Sequence, residues 1–78
     1  MGDEVATHYV IYDHPKDYPD DFVVRRWRIV PGRAEPIPEK RPFALTRNLD
    51  EARQAIPPGL VQILPAPNDD PVIVESWI

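Results

Sequence analysis

The chain has 78 residues, no cysteine and a formal net charge of −4. A chain of this length forms one small domain, which we expect to span residues 1–78. Without cysteine it holds neither a disulfide nor a thiolate metal site. No stretch has the length and apolarity of a signal peptide or a membrane span, so we expect a cytoplasmic protein that does not enter a membrane.

The charge is distributed unevenly along the chain. Residues 22–47 hold seven basic and two acidic residues, whereas the segments before and after them are acidic. The basic middle either pairs with the acidic ends inside the fold or forms a patch for an anionic partner. We favour internal pairing in a domain this small.

Two β-branched and aromatic runs open the chain and predict an antiparallel hairpin. Residues 7–12 form the first strand and residues 21–30 the second, and an acidic, proline-containing loop joins them. Because side chains alternate along a strand, the second strand has two faces. We expect the face with Val23, Trp27 and Ile29 to lie in the core, and the face with Arg26 and Arg28 to be partly open to solvent.

Proline spacing then predicts an extended connector. Residues 31–42 hold four prolines and one glycine, which is typical of an irregular segment. Residues 43–45 (FAL) are compatible with a short edge strand.

A single short helix is predicted over residues 48–56. Asn48 can cap its first turn, and Glu51 three residues later completes a capping box. One apolar stripe follows, and a Pro-Pro-Gly run ends the helix. About two turns are too few to be stable alone, so we expect the helix to lie on the sheet. The stripe consists of Leu49, Ala52, Ala55 and Ile56.

Residues 60–64 and 72–78 read as two further strands around a turn-rich loop, which gives a second hairpin. The predicted fold class is therefore α+β: a mainly antiparallel sheet of about four strands in two hairpins, with one short helix packed on one face, in the order β-β-α-β-β. We expect the helix to cover Val23, Trp27 and Ile29 together with Val72 and Val74. Whether edge strands pair between chains stays open, so the protein is expected to be a monomer or a weak dimer.

Several motifs resemble a family of small, uncharacterised bacterial and phage proteins. They are YDHP from Tyr12, YP from Tyr18, FVVRRW from Phe22, LDEAR from Leu49, IPPGL from Ile56 and DDPVIVESW from Asp69. The resemblance covers most of the chain except residues 31–42. It implies a single compact bacterial domain, and it implies no activity, cofactor or catalytic residue.

The chemistry-bearing residues give little support to an enzyme. Four carboxylates and His14 lie within residues 13–21, but calcium-loop spacing and a turn glycine are missing, so a solvated loop is favoured over a metal site. Ser76 is the sole serine, and the chain has no glycine-rich phosphate loop or nucleophile motif. We therefore expect no catalytic residue, no metal, no cofactor and no enzymatic activity.

One set of residues is a candidate interaction face. If the second and last strands are neighbours, Arg26, Arg28, Glu75 and Trp77 share one open face, where arginine can stack on indole and bind carboxylate. The set then acts either as a closed structural cluster or as a binding surface, and Trp and Arg are enriched in binding hot spots.

Two functions follow from these expectations. The first is a small protein-interaction or regulatory module that docks this face, or an exposed sheet edge, on a larger protein. The alternative is nucleic-acid binding by the basic segment, with Trp27 or Trp77 as a stacking platform, although the negative net charge argues against it. The basic residues concerned are Arg25, Arg26, Arg28, Arg33, Lys40, Arg41 and Arg47.

Overall fold

The computed structural model describes residues 6–78. Within them the chain forms six strands and one helix, all strands belonging to one sheet. The elements are β1 (Ala6–Asp13), β2 (Phe22–Ile29), β3 (Ile37–Pro38), β4 (Ala44–Thr46), α1 (Leu49–Ala55), β5 (Gln62–Ile63) and β6 (Ile73–Trp77).

The sheet is antiparallel and its spatial order is β3-β2-β1-β6-β5, with β4 paired to β2 as well. The α+β class, the antiparallel sheet and the single short helix are confirmed. The predicted order of four strands is wrong, because β3 and β4 lie between β2 and α1. Both additional strands pair with the outer edge of β2, one at each end of that strand.

The proline-rich connector forms β3 because it returns alongside β2. Pro38 lies opposite Trp27 and Ile37 opposite Arg28. Proline is tolerated at this position because an edge strand needs no donor on its outer side. Tertiary pairing therefore imposes two strand residues on a segment whose composition alone indicates an irregular connector.

Helix α1 begins and ends where its sequence predicts. The side chain of Asn48 accepts a hydrogen bond of 2.9 Å from the backbone N–H of Glu51. At the other end Ile56 is extended, with ψ at 130°, as expected for a residue before proline. Gly59 then has a φ of 88° and turns the chain toward β5.

The helix covers the face of the sheet opposite to the one that the sequence predicted. Its fully buried Ala52 packs in one cluster with Tyr9, Ile11 and Val24, and Phe22 packs against that cluster. Val74 lies there too, as predicted. The other face of β2 carries Val23, Trp27 and Ile29 instead, because side chains alternate along the strand and Val24 points to the helix side.

Helix length gives the physical reason for this correction. Seven helical residues span only about 10 Å at a rise of about 1.5 Å per residue. That length covers about three residues of a strand at about 3.3 Å each. The helix therefore lies over the apolar beginning of β2, Phe22 and Val24, and leaves Arg26 and Arg28 beyond it. On this face of β2 the apolar residues come first and the arginines later. The composition of the whole strand does not show that order.

Candidate functional site

The strand register places the four predicted interaction residues on one face. Tyr9 of β1 lies between Arg26 of β2 on one side and Trp77 of β6 on the other. Glu75 lies opposite Ile11, and Arg28 is two residues beyond Arg26 on the same face of β2. This is the face that carries α1, so only part of it is open to solvent.

Glu75 is not part of any open surface, contrary to the sequence-based expectation. It is 1% exposed, and both of its carboxylate oxygens are occupied. Oε1 accepts hydrogen bonds from Nε and Nη2 of Arg53 at 3.0 and 2.8 Å. Oε2 accepts from Gln62 at 2.9 Å and from the indole of Trp77 at 2.8 Å. The buried charge is thereby satisfied, and it ties α1, β5 and β6 together.

Arg53 is the partner that sequence reasoning missed. A basic partner for Glu75 is expected on β2, yet the helix supplies it through Arg53. The Glu75 carboxylate raises the pKa of Arg53. One signal was present in the sequence: Arg53 is the sole basic residue of residues 48–78. Its distance in sequence from Glu75 gave no reason to connect the two.

The two predicted arginines of β2 have different surroundings. Arg26 donates to a carboxylate oxygen of Glu39 at 2.8 Å, and its guanidinium lies 5.5 Å from the ring centre of Phe43. The same carboxylate raises the pKa of Arg26. Arg28 is exposed. The structure therefore brings neither arginine to Glu75.

The opposite face of the sheet has a different character. We call it the helix-free face, because α1 is the only helix within residues 6–78 and packs on the other side. Its side chains alternate with the helix-side residues and pair across β1 and β2 as Tyr12 with Val23, Val10 with Arg25 and His8 with Trp27. Loops before and after β2 cover part of this face.

A concave pocket of about 430 Å³ opens on the helix-free face. Its lining is predominantly apolar and includes the loop residues Pro15 and Lys40. We call it the aromatic pocket. It is lined by Tyr12, Pro15, Asp17, Val23, Arg25, Trp27, Pro38, Glu39 and Lys40.

Arg25 is the charged centre of the aromatic pocket. One terminal nitrogen donates to the backbone oxygen of Glu39 at 2.8 Å and lies 3.4 Å from that of Lys40. The other reaches Asp17 at 3.5 Å, the outer limit of a hydrogen bond. The Glu39 carboxylate is directed away to Arg26. The lining thus holds two bases, Arg25 and Lys40, and two acids, Asp17 and Glu39. Of the two carboxylates only that of Asp17 is directed toward Arg25.

Three groups of this face are perturbed by burial. Nδ1 of His8 and Nε1 of Trp27 are buried without a hydrogen-bond partner among the described residues, and the two rings stack with centres 6.4 Å apart. Burial lowers the pKa of His8. Burial also raises the pKa of Tyr12; the nearby Trp27 N–H and Arg25 act in the opposite direction. The indole N–H approaches Tyr12 without the geometry of a full hydrogen bond.

The acidic loop brings no metal-binding cluster together. Asp13 pairs with the ring of His14, and Asp17 turns toward Arg25. Within residues 6–78 no three His, Asp or Glu side chains are grouped as metal ligands. In the same range, no helix is long and apolar enough to cross a membrane.

Comparisons with protein-family models, curated proteins and solved structures found no match for this chain. The resemblance to small bacterial and phage proteins stays a prediction, and the site has to be interpreted from its own residues.

Proposed function

We propose that this protein is a small cytoplasmic protein-interaction module, without catalytic activity of its own, that binds its partner on the helix-free face. The aromatic pocket supports this proposal most directly. Its volume of about 430 Å³ lies within the range of about 300–1,000 Å³ typical of binding pockets. A pocket of this kind accommodates an apolar side chain of a docked protein.

The residues around the aromatic pocket suit recognition. Trp27 and Tyr12 offer large, stiff side chains that bury much apolar area at little entropic cost, which is why such residues dominate binding hot spots. The strands β1 and β2 hold both side chains, and each of these strands is paired on both sides. The apolar surface is thus presented by inner strands of the sheet.

The earlier candidate face supports docking less well. Glu75 and part of Trp77 are committed to the buried carboxylate cluster, and Arg26 is held by Glu39. Arg28 remains exposed there. A partner that used the helix-side face would therefore depend on Arg28 and not on Trp27.

A binding titration with variants separates these two surfaces. A partner captured from an extract and then purified should bind the wild-type protein and lose about tenfold or more of its affinity to Trp27→Leu, as expected for a hot-spot residue. Lys40→Glu, a charge reversal at an exposed loop position, should weaken binding without a risk to the core.

Arg28→Ala is the matched control on the other face. It should bind as the wild type does, because Arg28 lies away from the pocket. Loss with Arg28→Ala and none with Trp27→Leu would refute docking on the helix-free face and return the site to the helix side. Thermal melting of each variant verifies that the fold is retained.

Nucleic-acid binding is the competing proposal, supported by the solvent exposure of five basic residues. Two others, Arg25 and Arg26, lie on opposite faces and interact with Asp17 and Glu39. A gel shift at low salt tests the idea, since non-specific binding of nucleic acid is strongest there. The absence of retardation at micromolar protein would exclude it. The exposed residues are Arg28, Arg33, Lys40, Arg41 and Arg47.

A further inference from the structure

The contact between Arg25 and Asp17 is unusually loose for an arginine–carboxylate pair. Its 3.5 Å separation exceeds the distance of about 2.7–2.9 Å that such charge-assisted bonds prefer. The Asp17 side chain is 61% exposed, whereas that of Arg25 is 18% exposed. The guanidinium is thus fixed by the backbone oxygen of Glu39, while its carboxylate partner lies mostly in water.

The two carboxylates that line the aromatic pocket are directed to different arginines. Glu39 lines the pocket, but its carboxylate bonds Arg26 at 2.8 Å and does not offset Arg25. Lys40 adds a second positive charge to the lining. Asp17 is left as the sole carboxylate of the lining directed toward the guanidinium. At the guanidinium the positive charge is therefore opposed by one loosely held carboxylate, so an incoming anion competes there with Asp17 alone.

We propose that the aromatic pocket receives the C-terminal residue of a partner polypeptide, with its apolar side chain against Trp27 and Tyr12 and its carboxylate on Arg25 and Lys40. The incoming carboxylate displaces Asp17 from Arg25. The C-terminal residue of a chain carries an apolar side chain and a carboxylate together. The lining offers a complementary surface for each, with Trp27 and Tyr12 for the apolar group and Arg25 and Lys40 for the carboxylate. Capture of a terminal carboxylate is an established way of recognising peptides. This inference rests on the proposed function, since it specifies what the docked protein inserts.

The geometry also explains what Asp17 does in the free protein. A guanidinium that is largely shielded from water needs acceptors. Asp17 provides one at the cost of a weak bond, so it can leave without disrupting β1 or β2. Binding is then an exchange of one carboxylate for another.

The test compares two tetrapeptides that differ only at their end. One ends in phenylalanine with a free carboxylate, and the other ends in the phenylalanine amide. Binding is followed by NMR of the ¹⁵N-labelled full chain, through the indole N–H of Trp27. The free acid should shift this resonance and bind about tenfold or more tightly than the amide, since bonds between charged groups are about twice as strong as neutral ones. Added salt should weaken the binding of the free-acid peptide and leave the binding of the amide unchanged.

Substitutions in the pocket should change the affinity for the free-acid peptide in opposite directions. Arg25→Gln and Lys40→Gln should lower the affinity for the acid toward that for the amide. Asp17→Asn should raise the affinity for the acid several-fold, because it removes the competing carboxylate, and should leave the amide unchanged. Arg33→Gln, which removes an exposed positive charge elsewhere, is the matched control and should behave as the wild type.

The outcomes separate this inference from the proposed function. Equal binding of acid and amide, with both shifting Trp27, would overturn the carboxylate assignment and still support an apolar docking pocket. Failure of peptides ending in Phe, Leu or Val to shift Trp27 at millimolar concentration would overturn recognition of a chain terminus. The proposed function is then judged separately, by the partner titration with Trp27→Leu. An Asp17→Asn variant that binds the acid more weakly would also refute the exchange.

Discussion

Replacement of Glu75 by glutamine is the sharpest test of how this domain is held together. The change keeps the shape of the side chain and removes one acceptor oxygen. In the wild type, Oε1 serves Arg53 and Oε2 serves Gln62 and Trp77. A glutamine that keeps its oxygen toward Arg53 must turn its NH₂ group toward two donors.

The magnitude follows from what those donors can do next. Gln62 can rotate its amide by half a turn and offer its oxygen, so it recovers a bond. The indole N–H of Trp77 has no such freedom and loses its acceptor. An unsatisfied buried donor costs about 1–3 kcal/mol, and the loss of charge in the remaining bonds adds to this. We expect Glu75→Gln to lower the free energy of unfolding by about 2–3 kcal/mol.

A loss of this size is large for a domain of 78 residues. Such a domain is stable by about 4–12 kcal/mol, from about 0.05–0.15 kcal/mol per residue. Since about 1 kcal/mol shifts the melting temperature of a small domain by about 4–8 °C, the variant should melt about 10–20 °C lower. Urea unfolding followed by circular dichroism measures the free energy, and a thermal scan measures the midpoint.

The control is Glu35→Gln, the same substitution at an exposed loop glutamate. Exposed substitutions of this kind change stability by no more than about 0.5 kcal/mol. If Glu75→Gln were as mild as Glu35→Gln, the carboxylate cluster would not be a structural tie between the helix and the two last strands, and the account of the helix-side face would be refuted.

Three further predictions concern stability and use the same unfolding assays. Burial lowers the pKa of His8 below its ordinary value of 6.5, so the unfolded chain takes up the proton first and stability should fall as the pH drops below 6.5, an effect that His8→Gln should remove. Asn48→Ala should cost about 1 kcal/mol by removing the helix cap, whereas Asn48→Asp should cost little; equal loss in both would contradict the capping role. Ala52 is fully buried between α1 and the sheet, so Ala52→Leu should cost about 1–3 kcal/mol, and an unchanged urea midpoint would show that the helix does not pack closely.

Local sequence signals predicted the elements whose formation depends on near neighbours. The Asn48 cap, the apolar stripe of α1 and the proline stop are all visible within ten residues of chain. The β1–β2 hairpin likewise follows from two apolar runs around a turn-rich loop. Each of these features is decided by backbone conformation and by residues close in sequence.

Features that depend on distant segments were not predictable in the same way. Residues 37 and 38 form β3 because they pair with the edge of β2, and the strand propensity of their own sequence does not predict this. The link between Arg53 and Glu75 joins α1 to β6, and no local pattern marks it. The prediction of which face of β2 the helix covers was wrong for a related reason. The covered face depends on how far along β2 a two-turn helix extends, which is a tertiary feature.

The two faces of the sheet differ in how completely the described residues satisfy one another's buried polar groups. On the helix side, the buried carboxylate of Glu75 accepts four hydrogen bonds. On the helix-free face, the described residues leave two buried ring nitrogens without partners and an ion pair at 3.5 Å. Buried polar groups are normally satisfied, and exceptions are found where function competes with stability. In this domain the exceptions lie in and beside the aromatic pocket, which is the surface that we propose for binding.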